Sequence, residues 1–480
     1  MKSLSEKIAT LLLGLFLFIF IYSLTNKEQL YTIIYLLISI AFEAFTKKKN
    51  PKDIFYPKYF LILFYYLYTL SGIGVSQIRQ TDSQGLYISQ GVVSKYIVSC
   101  LIGLIGLYIG FILASFQKNK TISVKTITAV NETKINKIFI IYIVLTLIIN
   151  FSAIIKKFDF IHVESYADRA LSYRLERMES NSTGLYEVFL VDSPVLLINY
   201  LCIYMFFKRN AYKIKYIYII PYLICITTAF LSGFRSALID ILIPFLFILH
   251  YQWKPLTITR VKLVYYSIAG FLGYVMINLL SIIRSSSDPR EMINLAVDYI
   301  SHNGFNFLSV DNSGELETSI NFMRLIKGIQ EGVTNFTFGK SLIDEILVFI
   351  PLAFFPSRPH SVSEQFTILF YPGVYESGGG MGQFCLLEGY WSFGNIGVFL
   401  TSVFYAFLLS RFYRKILPYL VISPVFVLLY SQIFDKAVLS VVRGGYIGSI
   451  KACIISTIVV IIAIYISKVK KNESSLGSQF

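Results

Sequence analysis

The chain alternates long apolar blocks with short charged stretches. A helix needs an apolar run of about 20 residues to cross the hydrocarbon core of a bilayer. Such runs lie near residues 8–24, 30–45, 59–75, 92–116, 138–155, 188–207, 216–231, 237–250, 263–283, 392–410, 416–433 and 448–467. The pattern predicts an all-α, polytopic membrane protein of about twelve transmembrane helices. One stretch stands apart, 284–391, over a hundred residues between two spans. Loops of that length are uncommon unless functional. Within it, Leu342 to Phe355 (LIDEILVFIPLAFF) is apolar but too short, and too charged at its start, to cross. It reads as a re-entrant or interfacial segment ending at Pro356. The expected organisation is a nine-span region over 1–283, a large outer loop over 284–391, a three-span region over 392–471 and a disordered tail over 472–480.

Composition removes the soluble alternative. Of 480 residues, 55% are hydrophobic and 15% charged, where a soluble protein of this size carries about a quarter charged residues. The net charge of +15 would suit nucleic acid if it were gathered on one face. Instead it follows the loops. Alternate loops on one side hold 25 of the 43 Lys and Arg but five of the 28 Asp and Glu, from Lys2 and Lys7 through Lys47-Lys48-Lys49 to Lys468, Lys470 and Lys471. Excess Lys and Arg mark the cytoplasmic side. Both termini are therefore expected in the cytoplasm, and loops 156–187 and 284–391 on the outer face. Four of the five cysteines (Cys100, Cys202, Cys225, Cys385, Cys453) lie in apolar blocks, with no metal-knuckle or disulfide spacing. The first block, Ile8 to Leu24, has no small-residue cleavage site after it and reads as a span.

The spans carry few ionisable residues, Asp240 being the main exception. Transport paths need such residues inside the membrane, and paired broken helices in inverted repeats are not visible. Polar chemistry gathers at the outer face instead, as in an enzyme working at the interface. Four arginines stand where outer loops meet spans: Arg235 in SGFRS, Arg284 before three serines, Arg358 in PSRPH, and Arg443 before Gly444-Gly445. Guanidinium groups bind phosphate oxygens bidentately, so a shared site of these four would hold a diphosphate. Each alone could equally anchor its helix end at the headgroups.

Three groups could take a proton from a sugar hydroxyl or anchor a sugar. His360 and Glu364 are four apart in PSRPHSVSEQF and share a face if the stretch is helical after Pro359. Glu388 stands at the mouth of the span that begins near 392. Tyr390 and Trp391 beside it could stack on sugar rings or belong to the interfacial aromatic belt. His302 is a further sugar-side candidate. Gly378-Gly379-Gly380-Met381-Gly382 lacks the Lys-Ser/Thr of a phosphate loop, which argues against a nucleotide. Outer Asp-x-Asp pairs and His/Cys ligand spacings are absent, Glu315 and Glu317 being the nearest arrangement. Neither metal nor cofactor is expected.

The twelve-span layout with both ends inside, SGFRSAL at 232–238, VFIPLAFFPSRPHSVSEQF at 348–366 and GQFCLLEGYWSFGNIG at 382–397 together resemble the Wzy-type O-antigen and capsule polymerases. The last two segments are similar to that family's Pro-Arg-Pro … Gly … Glu-x-Tyr-x-x-Phe-Gly-x-x-Gly stretch. The family's usual lysine after the Arg-Pro stretch has no clear match, and His360 stands close to its place. The resemblance implies a membrane glycosyltransferase of GT-C-like fold. It would transfer a growing glycan from undecaprenyl diphosphate to a lipid-linked repeat unit on the periplasmic face. Its partners would be that lipid-linked donor and acceptor, the bilayer, and a protein that regulates chain length, with no nucleic acid. An O-antigen ligase, which hands glycan to lipid A-core, and a lipid-linked oligosaccharide flippase are the alternatives.

Overall fold

The computed structural model describes residues 26–46, 53–78, 87–116, 131–157, 193–207, 235–257, 318–350, 354–376 and 380–467, with isolated positions between 220 and 301. The expected span at 8–24, most of those at 216–231 and 263–283, and the tail at 472–480 lie outside them. The regular elements among the described residues are helices: α1 Asn26–Thr46, α2 Pro57–Ile78, α3 Gln90–Phe116, α4 Glu132–Lys157, α5 Ser193–Phe207, α6 Arg235–Ile248, α7 Thr318–Gln330, α8 Lys340–Leu347, α9 Val362–Phe370, α10 Leu387–Leu420, α11 Pro424–Phe434 and α12 Tyr446–Ile466. Three of them, α3, α10 and α12, are long and apolar enough to cross a membrane, and shorter apolar helices cover Ser193–Phe206 and Leu238–Trp253.

Two compact units divide the chain. The first comprises Met1–Phe116, Leu256–Arg411 and Ala437–Ser449. Here α1, α2 and α3 pack on one another, and α7 packs on α2 and α3. Small residues set the closest approach. Gly106 and Gly110 form a Gly-x-x-x-Gly stripe on α3 that meets α10: a Cβ on Gly106 would stand 2.9 Å from the Phe399 carbonyl oxygen, and one on Gly110 would strike that of Val403. Without a hydrophobic drive between helices in lipid, such close backbone contact is a main source of helix association. Buried tyrosines use their hydroxyls internally, as a water-free interior demands. Tyr65 donates to the Cys100 carbonyl at 2.7 Å, Tyr35 to that of Ile62 at 2.6 Å, and Tyr405 to that of Ala437 at 2.6 Å. Lys58, fully buried, pairs with Glu43 at 2.5 Å and lies over the Tyr108 ring.

The second unit comprises Gln117–Pro255, Phe412–Lys436 and Ile450–Phe480. In it α5 packs on α4 and α6, and α6 packs on α11. A π-helical turn, Asp435–Leu439, continues α11. It brings Lys436 within 3.1 Å of Asp240 on α6, while Asp435 contacts the same ammonium. Read by hydropathy alone, Asp435 and Lys436 belong to an outer loop, because the apolar run stops at residue 433. The helical geometry carries on past it.

Two further boundaries differ from the hydropathy pattern. The helix expected over 392–410 runs on to Leu420, because Arg411, Arg414 and Lys415 are good helix formers and extend their charges past the apolar edge. The turn falls at 421–423, where Pro424 opens α11 from a first-turn position that needs no amide hydrogen. In α8, within the apolar stretch 342–355, Ser341, Asp344 and Glu345 are buried while Ile343 and Ile346 are exposed. That inversion of a soluble helix suits a segment lying against lipid.

Candidate active site

The glycines of GYWSFGNIG create a break rather than a loop. Inside α10, Phe393 (φ −142°, ψ 24°) and Gly394 (φ 59°, ψ −142°) leave the helical region. The positive φ at 394 favours a residue without a side chain. The helix doubles on itself so tightly that a Cβ on Gly389 would stand 2.7 Å from the Gly397 carbonyl oxygen. The break frees the carbonyls of Trp391 and Ser392, and the loop before α8 takes them: Thr337 N–H donates to Trp391 at 2.9 Å and Phe338 N–H to Ser392 at 3.1 Å. Side chains reinforce the clamp. Trp391 Nε1 donates to Thr334 Oγ1 at 3.3 Å, and the Ser341 and Ser392 hydroxyls meet at 2.7 Å. Trp391 is buried, and buried Tyr390 packs edge-on against Phe322.

Glu388 lies before the break, ahead of the segment that crosses, and is fully buried. Its Oε2 accepts from the Ile447 N–H at 3.0 Å and its Oε1 from Gln383 Nε2 at 3.0 Å. Ile447 is the second residue of α12, so Glu388 satisfies an amide that the helix start leaves open and places an acid at the positive end of the helix dipole. Gln383 Nε2 also reaches the Gly444 carbonyl at 3.3 Å. A second buried carboxylate, Glu345, accepts from the Val362 N–H at 2.7 Å and so ties α8 to the start of α9.

The segment around His360 is built differently. Arg358 is half-buried and turns Nη1 to the carbonyls of Val348 (3.0 Å) and Ile350 (2.9 Å), just past the end of α8. Its Nη2 and Nε have no protein partner among the described residues. Ser361 caps α9 in a capping box with Glu364: Glu364 N–H donates to Ser361 Oγ at 3.3 Å, and Ser361 N–H to Glu364 Oε2 at 2.9 Å. The helix therefore starts two residues after His360, at Val362, yet the two side chains lie near each other. His360 Nδ1 lies 3.8 Å from Glu364 Oε2, with both side chains more than half exposed (58% and 53%). Gln365 Nε2 holds the loop from below, donating to the His360 carbonyl at 2.7 Å and to Asp344 Oδ2 at 3.0 Å.

Exposure separates the three proton-transfer candidates: His360 and Glu364 are open, and Glu388 is enclosed among protein donors. Among the diphosphate candidates, Arg443 is exposed at the end of a one-turn helix, with its backbone against Gly382. Arg235 begins α6, but its side chain lies outside the described residues, as do Arg284 and His302. Two residues of the site were not anticipated. Arg324 on α7 is buried over the ring of Tyr371, 4.1 Å from its centroid, and Glu345 is described above. Helix α7 is amphipathic, TSINFMRLIKGIQ, and its period was the available signal, hidden within a stretch read as loop. Among the described residues no three His, Cys, Asp or Glu side chains gather as metal ligands would.

The chain matches the family described as O-antigen polysaccharide polymerase Wzy over residues 8–473. It belongs to that family. No curated protein and no solved structure matches it. For this Wzy family member, the match spans all the helices named above, including the break at 393–394 and the His360–Glu364 pair.

Proposed function

We propose that this chain polymerises oligosaccharide repeat units carried on undecaprenyl diphosphate, at the periplasmic face of a bacterial inner membrane. Membership of the O-antigen polymerase family over residues 8–473 is the observation that carries the reading. In the proposed step, an acceptor sugar hydroxyl attacks the anomeric carbon of the donor glycan. The new C–O bond forms as the bond to the lipid diphosphate breaks, and the electron pair leaves with the diphosphate. His360 takes the hydroxyl proton. Glu364, with Oε2 3.8 Å from Nδ1, is placed to offset the charge of the imidazolium that forms when Nε2 accepts the proton. The leaving diphosphate gathers charge, and the unused Nη2 and Nε of Arg358, with Arg443, offset it. Arg235 and Arg284 carry the same assignment from sequence alone. Glu388 acts as a positioning residue that joins α10 to α12, and Trp391 through its clamp. An activated lipid diphosphate supplies the driving force for transfer, so the step draws on no nucleotide.

The test is reconstitution. Purified protein in bilayer discs, given lipid-linked repeat units, should yield a ladder of polymer still attached to lipid, and His360→Ala should slow its formation by about a hundredfold or more. Wild-type protein that leaves the units unjoined, or moves them only to lipid A-core, overturns the reading.

A further inference from the structure

A groove of about 410 Å³ opens in the first unit between the second turn of α3 and the break in α10. Ser94, Lys95 and Val98 line it from α3, Tyr390, Gly394 and Asn395 from α10, and Phe336 from the loop before α8. Its volume is that of a small-molecule site. Its polar groups are donors with capacity to spare. Lys95 is exposed, and its ammonium has no partner among the described residues. The Asn395 amide meets the Ser99 hydroxyl at 2.7 Å, and that hydroxyl also reaches the Lys95 carbonyl at 2.9 Å, so at least one Nδ2 hydrogen is left to donate elsewhere. The Tyr390 hydroxyl is likewise without a hydrogen-bond partner among the described residues. Carboxylates are missing from the lining. One cation and several open donors, with no acid against them, complement an anion.

Position narrows the anion further. Helix α3 is one of the three long apolar helices and starts at Gln90, so Lys95 lies about 8 Å along it at 1.5 Å per residue. The groove therefore lies near the end of an apolar helix, and Val98 and Phe336 give it apolar walls. We infer that the groove holds the diphosphate end of the polyprenyl-linked substrate, with Lys95 as counter-charge, Asn395 and Tyr390 as donors, and Val98 and Phe336 against the first lipid units. The inference rests on the lipid-diphosphate reading above and adds residues which that reading leaves unused. A phospholipid headgroup offers the same chemistry with a single phosphodiester charge. The diphosphate, with more acceptor oxygens, matches the number of open donors better.

The experiment measures binding of undecaprenyl diphosphate to the full chain in phosphatidylcholine discs by native mass spectrometry. Lys95→Glu should weaken binding by about tenfold or more, the scale of one lost charge-assisted bond, while Lys95→Arg keeps it. Val98→Trp, which fills the groove and leaves the charge in place, should weaken it too. Wild-type affinity in both Lys95→Glu and Val98→Trp overturns the inference, as does equal competition by phosphatidylglycerol, which would mark an annular lipid site. Reconstituted polymerisation separates the two readings. A wild type that makes polymer while Lys95→Glu binds normally sinks the groove alone. A wild type that binds through Lys95 yet joins no repeat units leaves the groove standing and removes the polymerase.

Discussion

Gly445 makes room for Glu388. At φ 77° its backbone is in the left-handed region, and a Cβ there would fall on the Glu388 carboxylate and the Gln383 amide. A glycine near the last span, noted in the sequence only as a neighbour of Arg443, therefore decides whether α12 can be capped from α10. Gly445→Ala should lower stability by about 3 kcal/mol, adding left-handed strain to a displaced buried hydrogen bond. Thermal unfolding of the detergent-purified protein checks it, and an unchanged midpoint would remove the contact.

Replacing Glu388 should separate shape from charge. Glu388→Gln preserves the hydrogen-bonding outline and should fold and retain most polymer yield, whereas Glu388→Ala strands the Ile447 amide and costs roughly 1–3 kcal/mol.

Arg358 touches both structure and the proposed chemistry. Arg358→Lys keeps a cation but cannot hold the Val348 and Ile350 carbonyls from one planar group. Arg358→Ala should reduce polymer on the order of a hundredfold, the scale of one lost charge-stabilising group, with Arg358→Lys between the two. Glycan gels from cells carrying each variant are the measurement. Long polymer at wild-type yield in Arg358→Ala would exclude the arginine from the site.

His360 and Glu364 make a graded pair. His360→Ala should lower the transfer rate by about a hundredfold or more. Glu364→Gln keeps the capping box, since Gln serves at that position as well, and removes the carboxylate beside Nδ1. Its loss should be smaller, with the unfolding midpoint unmoved. Equal losses in the two variants would make Glu364, and not His360, the proton acceptor.

In the second unit, Lys436 holds two acids. Lys436→Met leaves Asp240 and Asp435 without their cation and should destabilise by roughly 1–3 kcal/mol, the range for a lost charged hydrogen bond in a half-exposed cluster. Asp240→Asn leaves the Asp435 contact intact and should cost less. Unfolding midpoints in matched detergent give the comparison, and equal midpoints for the two variants would show that the cluster carries no stability.

Apolar blocks of bilayer length and Lys and Arg in alternate loops predict a multispanning chain. Of its expected spans, those within α3, α10 and α12 form helices long and apolar enough to cross. The family resemblance was carried by the span layout and by the segments at 232–238, 348–366 and 382–397, because local spacing and residue type survive in a linear string. The four-residue interval between His360 and Glu364 is likewise local, and the two side chains lie near each other. What only the tertiary structure decided are contacts between residues far apart in sequence: Glu388 with Ile447, Asp240 with Lys436, Ser99 with Asn395, and Thr337 with Trp391. Burial is also a property of the packed chain. The same carboxylate that reads as an exposed base at a helix mouth becomes an enclosed cap once α12 lies against it, and no pattern along the sequence records which helix arrives there.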